Sequence, residues 1–283
     1  MRTIIAEVFR LLFKLKLLNT SHYFGIHKRI FQPLNLFKGV VQRVRIDELK
    51  FDLHIDDWIQ QNIYFLREYE SAELIALESF LQSGGTFIDL GANFGWYSLN
   101  ASRLIGDNGT CICFEPFSEN FNSLTHNLAI NRLQNIQAEK YAVGQESGSI
   151  QLYYDRHENN LGMVSTTPID GGLKEEVEMV SIDSFLEGRQ LSAIDLIKID
   201  IEGFEYSALL GMKKTLVSYK PAILIEILAE NSSDTNRKNI HDFLHSLGYS
   251  KYFIDDLGKL SKTESNPNRF NYIFVVQPLV DLE

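Results

Sequence analysis

Three carboxylates fall close together in the stretch LIKIDIEGFEYSALLGM, residues 196–212: Asp200, Glu202 and Glu205. Leu196 to Ile201 reads as a buried strand and Phe204 to Met212 as the helix after it, so the acids stand at the joint. Burying such groups unpaired is costly. Gathered at a strand end, they suit general-base chemistry or the holding of a hard cation. Asp200 is the first candidate for a base and Glu202 the second, because neighbouring carboxylates raise each other's pKa. Glu205 is expected to orient an acceptor or the turn itself, with Gly203 allowing the sharp entry into the helix. Mg²⁺ or Mn²⁺ at this cluster is the competing expectation. Metal-free chemistry is preferred, and no metal ligand is assigned, because no second acidic run supplies the rest of a coordination shell.

A second chemical feature is the turn DLGANFGWYS, residues 89–98. Gly91 and Gly95 allow close backbone approach, and Asp89 at the strand end can accept hydrogen bonds from a ligand or orient the loop. The middle glycine of the dinucleotide fingerprint G-x-G-x-x-G is missing, which disfavours a pyrophosphate and suits a less charged nucleoside. Glu115, in CFEP, follows at the distance of an acid that takes ribose hydroxyls, and Pro116 and Phe117 are placed to flank a base. The plain alternative is a solvated glutamate before a proline.

Other polar and aromatic residues are weaker candidates. His126 lies on a helix, where solvation or capping is the default. His157, Asp155 and Asn160 sit in YYDRHENNLGMVS and are candidates for substrate contact, against a solvated loop. Of Trp96 and Tyr97, one is expected to face a pocket and the other the core. Trp58 and Tyr64 are expected to pack, with an acceptor cleft as the alternative. Cys111 and Cys113, the two cysteines of the chain, share one face of an apolar strand and read as reduced core residues.

The elements that must position these residues alternate from Thr86 onward: TFIDLG, TCICFEP, IQAEKYAVG, AIDLIKID and PAILIEIL read as strands, each followed by a helical stretch or a turn. Such alternation requires a mostly parallel sheet with helices on both faces, and ligands bind beyond the carboxyl ends of its strands. Residues 148–181 read as a hairpin-like insertion that can reach over the site. Asp234 to Leu247 reads as a helix, and YSKYFIDD and RFNYIFVV as two last strands. The division expected is an N-terminal extension over 1–80, with a basic helix, short strands and a helix over 69–81, and a ligand-binding domain over 81–283.

The net charge of −10 argues against nucleic acid as the main partner, since phosphate binding needs clustered Lys and Arg. The exception is the first stretch, MRTIIAEVFRLLFKLKLLN, with Arg2, Arg10, Lys14 and Lys16 among apolar residues at helical spacing. It is too short in apolar length to span a bilayer and lacks a signal-peptide cleavage pattern. It is expected to pack on the domain or a second subunit, or to lie on an anionic membrane. The expected location is cytoplasmic, peripheral to the inner face of the membrane in the last case.

Three stretches in order, FIDLGANFGWYSL, CFEPFSENFNSLTHNLAIN and IDLIKIDIEGFEYSALLG, resemble the FkbM family of S-adenosylmethionine-dependent methyltransferases. DWIQQNIYFLREYESAELIAL before them and NRFNYIFVV after them are similar to it too, so the resemblance runs from about residue 50 to 277. It implies a class I methyltransferase fold: a Rossmann-like, seven-stranded, mostly parallel α/β sheet whose last strand is antiparallel. It also implies methyl transfer, usually to a hydroxyl of a saccharide or natural product. By position, Asp89, Gly91, Ala92, Asn93 and Gly95 would hold the methionine half of S-adenosylmethionine, and Glu115 the ribose. Tyr141, Ala142 and Val143 would lie near the adenine. Glu70, in EYES, would reach the cofactor, and Asp200 would sit near the sulfonium and the acceptor oxygen. Two rivals stand beside this: an NAD-dependent oxidoreductase or epimerase, which needs the missing glycine, and a non-catalytic nucleoside-binding scaffold.

Overall fold

The computed structural model describes residues 1–155, 164, 166–227, 235–264 and 270–276. Helix α1 (Arg2–Lys14) buries Ala6 and Phe13 and packs on α3. Helix α2 (Thr20–Ile26) is started by Asn19, whose side chain accepts from the His22 N–H, and runs into a π-helical turn over His27–Phe31. Strands β1 (Val41–Ile46) and β2 (Leu49–His54) pair antiparallel, with burial alternating along β2 as period-2 side chains require. Two helices then lie where one was expected. Helix α3 (Trp58–Leu66) begins at Asp57, whose side chain accepts from the Gln60 N–H. Helix α4 (Ser71–Glu78) is shorter than the 69–81 expectation. Residues 60–65 of α3 are all buried, polar ones included. Its polar members are satisfied internally: Gln61 accepts from the Tyr23 hydroxyl at 3.1 Å and donates to the Ile55 carbonyl at 2.6 Å.

The alternating part follows as expected: β3 (Thr86–Leu90), α5 (Trp96–Ile105), β4 (Thr110–Phe114), α6 (Ser118–Asn131) and β5 (Ile136–Glu139). The third expected strand stops at Glu139, and Ala142–Val143 leave the sheet as β6. This pairs with β8 (Leu173–Val180), which pairs antiparallel with β7 (Gly148–Tyr154). The insertion is therefore a hairpin on a small sheet of its own. After α7 (Ile182–Phe185) and β9 (Leu196–Ile199), the helix expected over Phe204–Met212 is α8 (Glu205–Gly211), and a further helix, α9 (Lys213–Tyr219), follows directly after Met212. Then come β10 (Ala222–Glu226), α10 (Thr235–Ser246), β11 (Ser250–Ile254), β12 (Leu260–Ser261) and β13 (Asn271–Val275).

The main sheet has the order β12-β11-β13-β10-β9-β3-β4-β5. Neighbours from β10 to β5 are parallel, and β13 runs antiparallel to β10 and β11. The eighth strand, beyond the seven expected, is the two-residue edge strand β12. Residues Thr86–Leu90 and Leu196–Ile199 are buried throughout, as strands covered on both faces must be. One apolar cluster joins Phe87 and Leu196 to Ala6, Phe13, Tyr23 and Phe65 of the N-terminal region. A second joins Ile88, Leu90, Ile197 and Ile199 to Leu209, Met212 and Leu244. The sheet grows outward in both directions from the β3–β9 pair, so the crevice where ligands bind opens at the carboxyl ends of those two strands.

Candidate active site

Gly91 follows β3 at a φ of +84°, and a Cβ there would stand 1.8 Å from the Asp200 carbonyl oxygen. Only glycine lets this turn press against the end of β9, so the two motifs meet by backbone contact. Around them lies a cavity of about 340 Å³. Its walls come from the glycine turn, the ends of β4, β9 and β10, the start of α4, and the β7–β8 hairpin through Ile150 and Leu152.

At one end stands Glu115, buried after β4. Its Oε2 accepts from the Asn93 N–H at 2.8 Å and its Oε1 from the Phe117 N–H at 2.9 Å. Burial raises its carboxyl to about 7, against the pull of these amides and of Asn120. Pro116, Phe117, Asn120, Tyr141, Ala142 and Val143 complete this end.

At the other end the acids are crowded. The Lys198 ammonium donates to Asp200 Oδ2 at 3.1 Å, lies 3.7 Å from Asp89 Oδ1, and sits 4.8 Å from the centre of the Tyr97 ring. Burial would lower its pKa, but Asp200, Asp89 and Glu70 outweigh that and raise it, so it stays charged. Glu226, at the end of β10, is hydrogen-bonded to Asp200; burial first, and then the Asp200 charge, push its carboxyl up toward the protonated form. Glu70 accepts from the Tyr97 hydroxyl at 2.7 Å, and burial followed by Asp200 raises it to about 7. Glu202 is solvent-exposed on the turn but enclosed on its cavity side. Desolvation there, then Asp200 and Glu205, raise it to about 7, a shift that solvent screens. Glu70, Asn93 and Glu202 hold positive φ of 48°, 52° and 50°, a strained backbone that packing must maintain.

The structure thus brings Glu70, Gly91, Ala92, Asn93, Glu115, Pro116, Ala142, Val143, Asp200 and Glu202 to one cavity, with Trp58, Trp96, Tyr97, Phe117 and Tyr141. Four expected site residues stand outside its lining. Asp89 is fully buried under the turn, where Oδ2 accepts from the Ser98 hydroxyl at 2.6 Å and Oδ1 faces Lys198. Gly95 faces Leu99 and Leu124, which a Cβ would meet at 2.6 and 2.8 Å. Glu205 accepts from the Gly203 N–H at 2.8 Å, so it braces its own turn rather than an acceptor. Asp155 directly follows the end of β7 and is not part of the cavity wall, to which the strand contributes Ile150 and Leu152. His157 and Asn160 lie outside the described residues. His126 is neither solvated alone nor a cap: its Nε2 is 2.7 Å from Asp52 Oδ2. Tyr64 packs against Phe65 under Arg10. Both cysteines are free and buried.

Lys198, Glu226, Tyr69 and Asn120 escaped the sequence reading. Lys198 had a signal, since a lysine inside a fully buried strand needs acids beside it. Glu226 had one as well, ending a strand on the ligand side. Among the described residues, no group of three or more His, Cys, Asp and Glu is arranged to hold a metal ion.

The sheet order and the site beyond β3, β4 and β9 define a class I methyltransferase fold. The family model described as the methyltransferase FkbM domain matches residues 89–251, more than half of the chain, and the protein belongs to the FkbM methyltransferase family. It is 26% identical over 143 residues to Methyltransferase 1 of Beauveria bassiana (strain ARSEF 2860), covering 44% of this chain and 57% of that protein. It is 26% identical over 161 residues to Methyltransferase sdnD of Sordaria araneosa, covering 47% of this chain and 62% of that one. The matches thus span somewhat over half the length of these relatives. Among solved structures, a methyltransferase FkbM from Methylobacillus flagellatus KT aligns with a TM-score of 0.49 at 17% identity, covering 76% of this chain and 52% of that one.

Proposed function

We propose that the protein transfers a methyl group from S-adenosylmethionine to a hydroxyl of a saccharide or natural-product acceptor. The observation that carries this reading is one cavity with two unlike ends: a buried glutamate hydrogen-bonded to the glycine turn, and a crowded acid–lysine cluster opposite. Its volume of about 340 Å³ lies in the range of small-molecule sites, about 300–1,000 Å³. The donor set suits the cofactor. Glu115 can accept from ribose hydroxyls beside its two amides, Phe117 and Ala142 offer apolar surfaces to a base, and the acid end offers negative charge to a sulfonium.

S-adenosylmethionine held there by Glu115 and the glycine turn would supply an activated methyl group on a positively charged sulfur, with a neutral thioether as the leaving group. The protein's part is largely positioning the acceptor oxygen in line behind that methyl carbon. The new O–CH₃ bond forms as the S–CH₃ bond breaks, and the hydroxyl proton must go to a base. Asp200 is held by Lys198 and Glu226, so it is suited to orienting the acceptor and facing the sulfonium. Glu202, raised by desolvation and by its acid neighbours yet open to solvent, is suited to taking the proton and passing it on to water. This assignment reverses the order that the sequence suggests for the two acids. Ile150, Leu152 and Thr166 from the insertion side close one wall and help exclude water.

Calorimetry with S-adenosylmethionine, S-adenosylhomocysteine and NAD is the first test. Binding of the first two is expected, and NAD binding with none of S-adenosylmethionine would overturn the reading. Labelled methyl transfer into glycan and natural-product pools then separates an enzyme from a non-catalytic binder, and mass analysis locates the methylated oxygen.

A further inference from the structure

We propose that the outward face of α1 seats the protein on an anionic lipid bilayer. The helix has two apolar faces. The inner one, with Ala6 and Phe13, is buried against the protein. The outer one carries Ile4, Val8, Leu11 and Leu15, the last capping the helix, at the four-, three- and four-residue spacing of one stripe. These side chains are 64%, 52%, 53% and 58% exposed. Single exposed leucines are ordinary, but an aligned row is a docking surface.

Charge chooses the occupant. Residues 1–38 contain seven Lys and Arg and one acid, Glu7, in a chain whose net charge is −10. Basic character is therefore concentrated where the apolar stripe is. An anionic headgroup layer attracts this end and repels the rest, which both binds and orients the molecule. Lys14 and Lys16 stand exposed at the end of the stripe, where their ammonium groups reach headgroups while the leucines enter the acyl boundary. The helix lies on the bilayer and does not cross it: no helix among the described residues is long and apolar enough to span. The same α1 packs on α3, whose Trp58 and Ile59 line the cavity, so the seated helix is tied to a wall of the site.

The test is sedimentation of the full chain with vesicles of phosphatidylcholine, with and without phosphatidylglycerol, at low and physiological salt. Binding is expected only with phosphatidylglycerol and should fall as salt rises. Leu11→Glu should weaken partitioning about tenfold or more. The double substitution Lys14→Glu and Lys16→Glu should remove the preference for the anionic lipid. Circular dichroism and nucleoside binding, unchanged in both, show that the fold is kept. No binding to phosphatidylglycerol vesicles overturns the proposal, as does binding indifferent to Leu11→Glu. A solution dimer that Leu11→Glu dissociates, with no vesicle binding, overturns it in favour of a second copy covering the stripe.

Discussion

The two ends of the cavity handle negative charge in opposite ways. Glu115 has a backbone amide on each carboxylate oxygen, one from the glycine turn at Asn93 and one from Phe117 two residues on. At the far end, Glu70, Asp200, Glu202 and Glu226 face one another, with Lys198 the charged donor among them. Main-chain donors are fixed by the fold and hold a carboxylate in one place. Carboxylates that crowd one another instead spread their proton affinities, some toward and some away from neutrality. The first arrangement is suited to gripping a ligand, and the second to moving a proton.

This contrast is most exposed at Lys198. Lys198→Met strands Asp89 and Asp200 without their cation, and removing one partner of a buried pair costs about 3–5 kcal/mol. Urea unfolding should show a loss of that order, and an unchanged midpoint would mean the acid end does not depend on the lysine. Asp200→Asn keeps the side-chain shape and leaves Asp89 beside Lys198, so it should cost less stability than Lys198→Met, and it should lower turnover by about 10²-fold, the order expected when a reacting group is misplaced. Single-turnover kinetics would read it. Glu115→Ala should act on binding instead. Loss of a hydrogen bond to a charged group, about 1.5–3 kcal/mol, weakens nucleoside affinity by about 10- to 150-fold, measurable by calorimetry, with turnover at saturation little altered.

Acidity gives a finer cut. Turnover should rise with pH as Glu202 loses its proton, with the limb centred below about 7 because solvent screens part of the upward shift, and Glu202→Gln should flatten it. Stability should run the other way in the protein without ligand. Glu70 and Glu115 are raised from 4.5 to about 7 in the folded state, so between those values the folded chain holds protons that the unfolded chain has released. Stability therefore falls as pH rises through that window. Thermal melts should give a higher midpoint at pH 6 than at pH 8, and Glu70→Gln should shrink the difference. The smallest expected effect is that of a chelator, which should leave turnover unchanged if carboxylates alone carry the proton.

The glycine turn, Glu115 and the acids after β9 were legible because each lies at a strand's carboxyl end, where an alternating α/β pattern must place its ligand side. Residues whose roles depend on partners distant in the chain were not. Asp89 looks like a ligand contact in DLGANFG, yet it is turned beneath the turn by Ser98 and Lys198. Glu205, by contrast, takes the Gly203 amide two residues away, the turn-bracing one of the two roles its spacing suggests. Helix α3 was harder to read because its polar residues Gln60, Gln61 and Asn62 are buried, satisfied by hydrogen bonds that only the folded structure supplies.

The sequence by itself determined the alternating strands and helices, the parallel sheet and the end of it where chemistry sits, because these follow from local spacing and from the burial a parallel sheet demands. Only the tertiary structure decided which acids share the cavity and which of them meet Lys198. It also decided that the opening of α4 and the end of β10 bring Glu70 and Glu226 to the cluster. Proton affinity depends on burial and on charges a few ångströms away, and those neighbours are set by how the elements pack, not by their order along the chain.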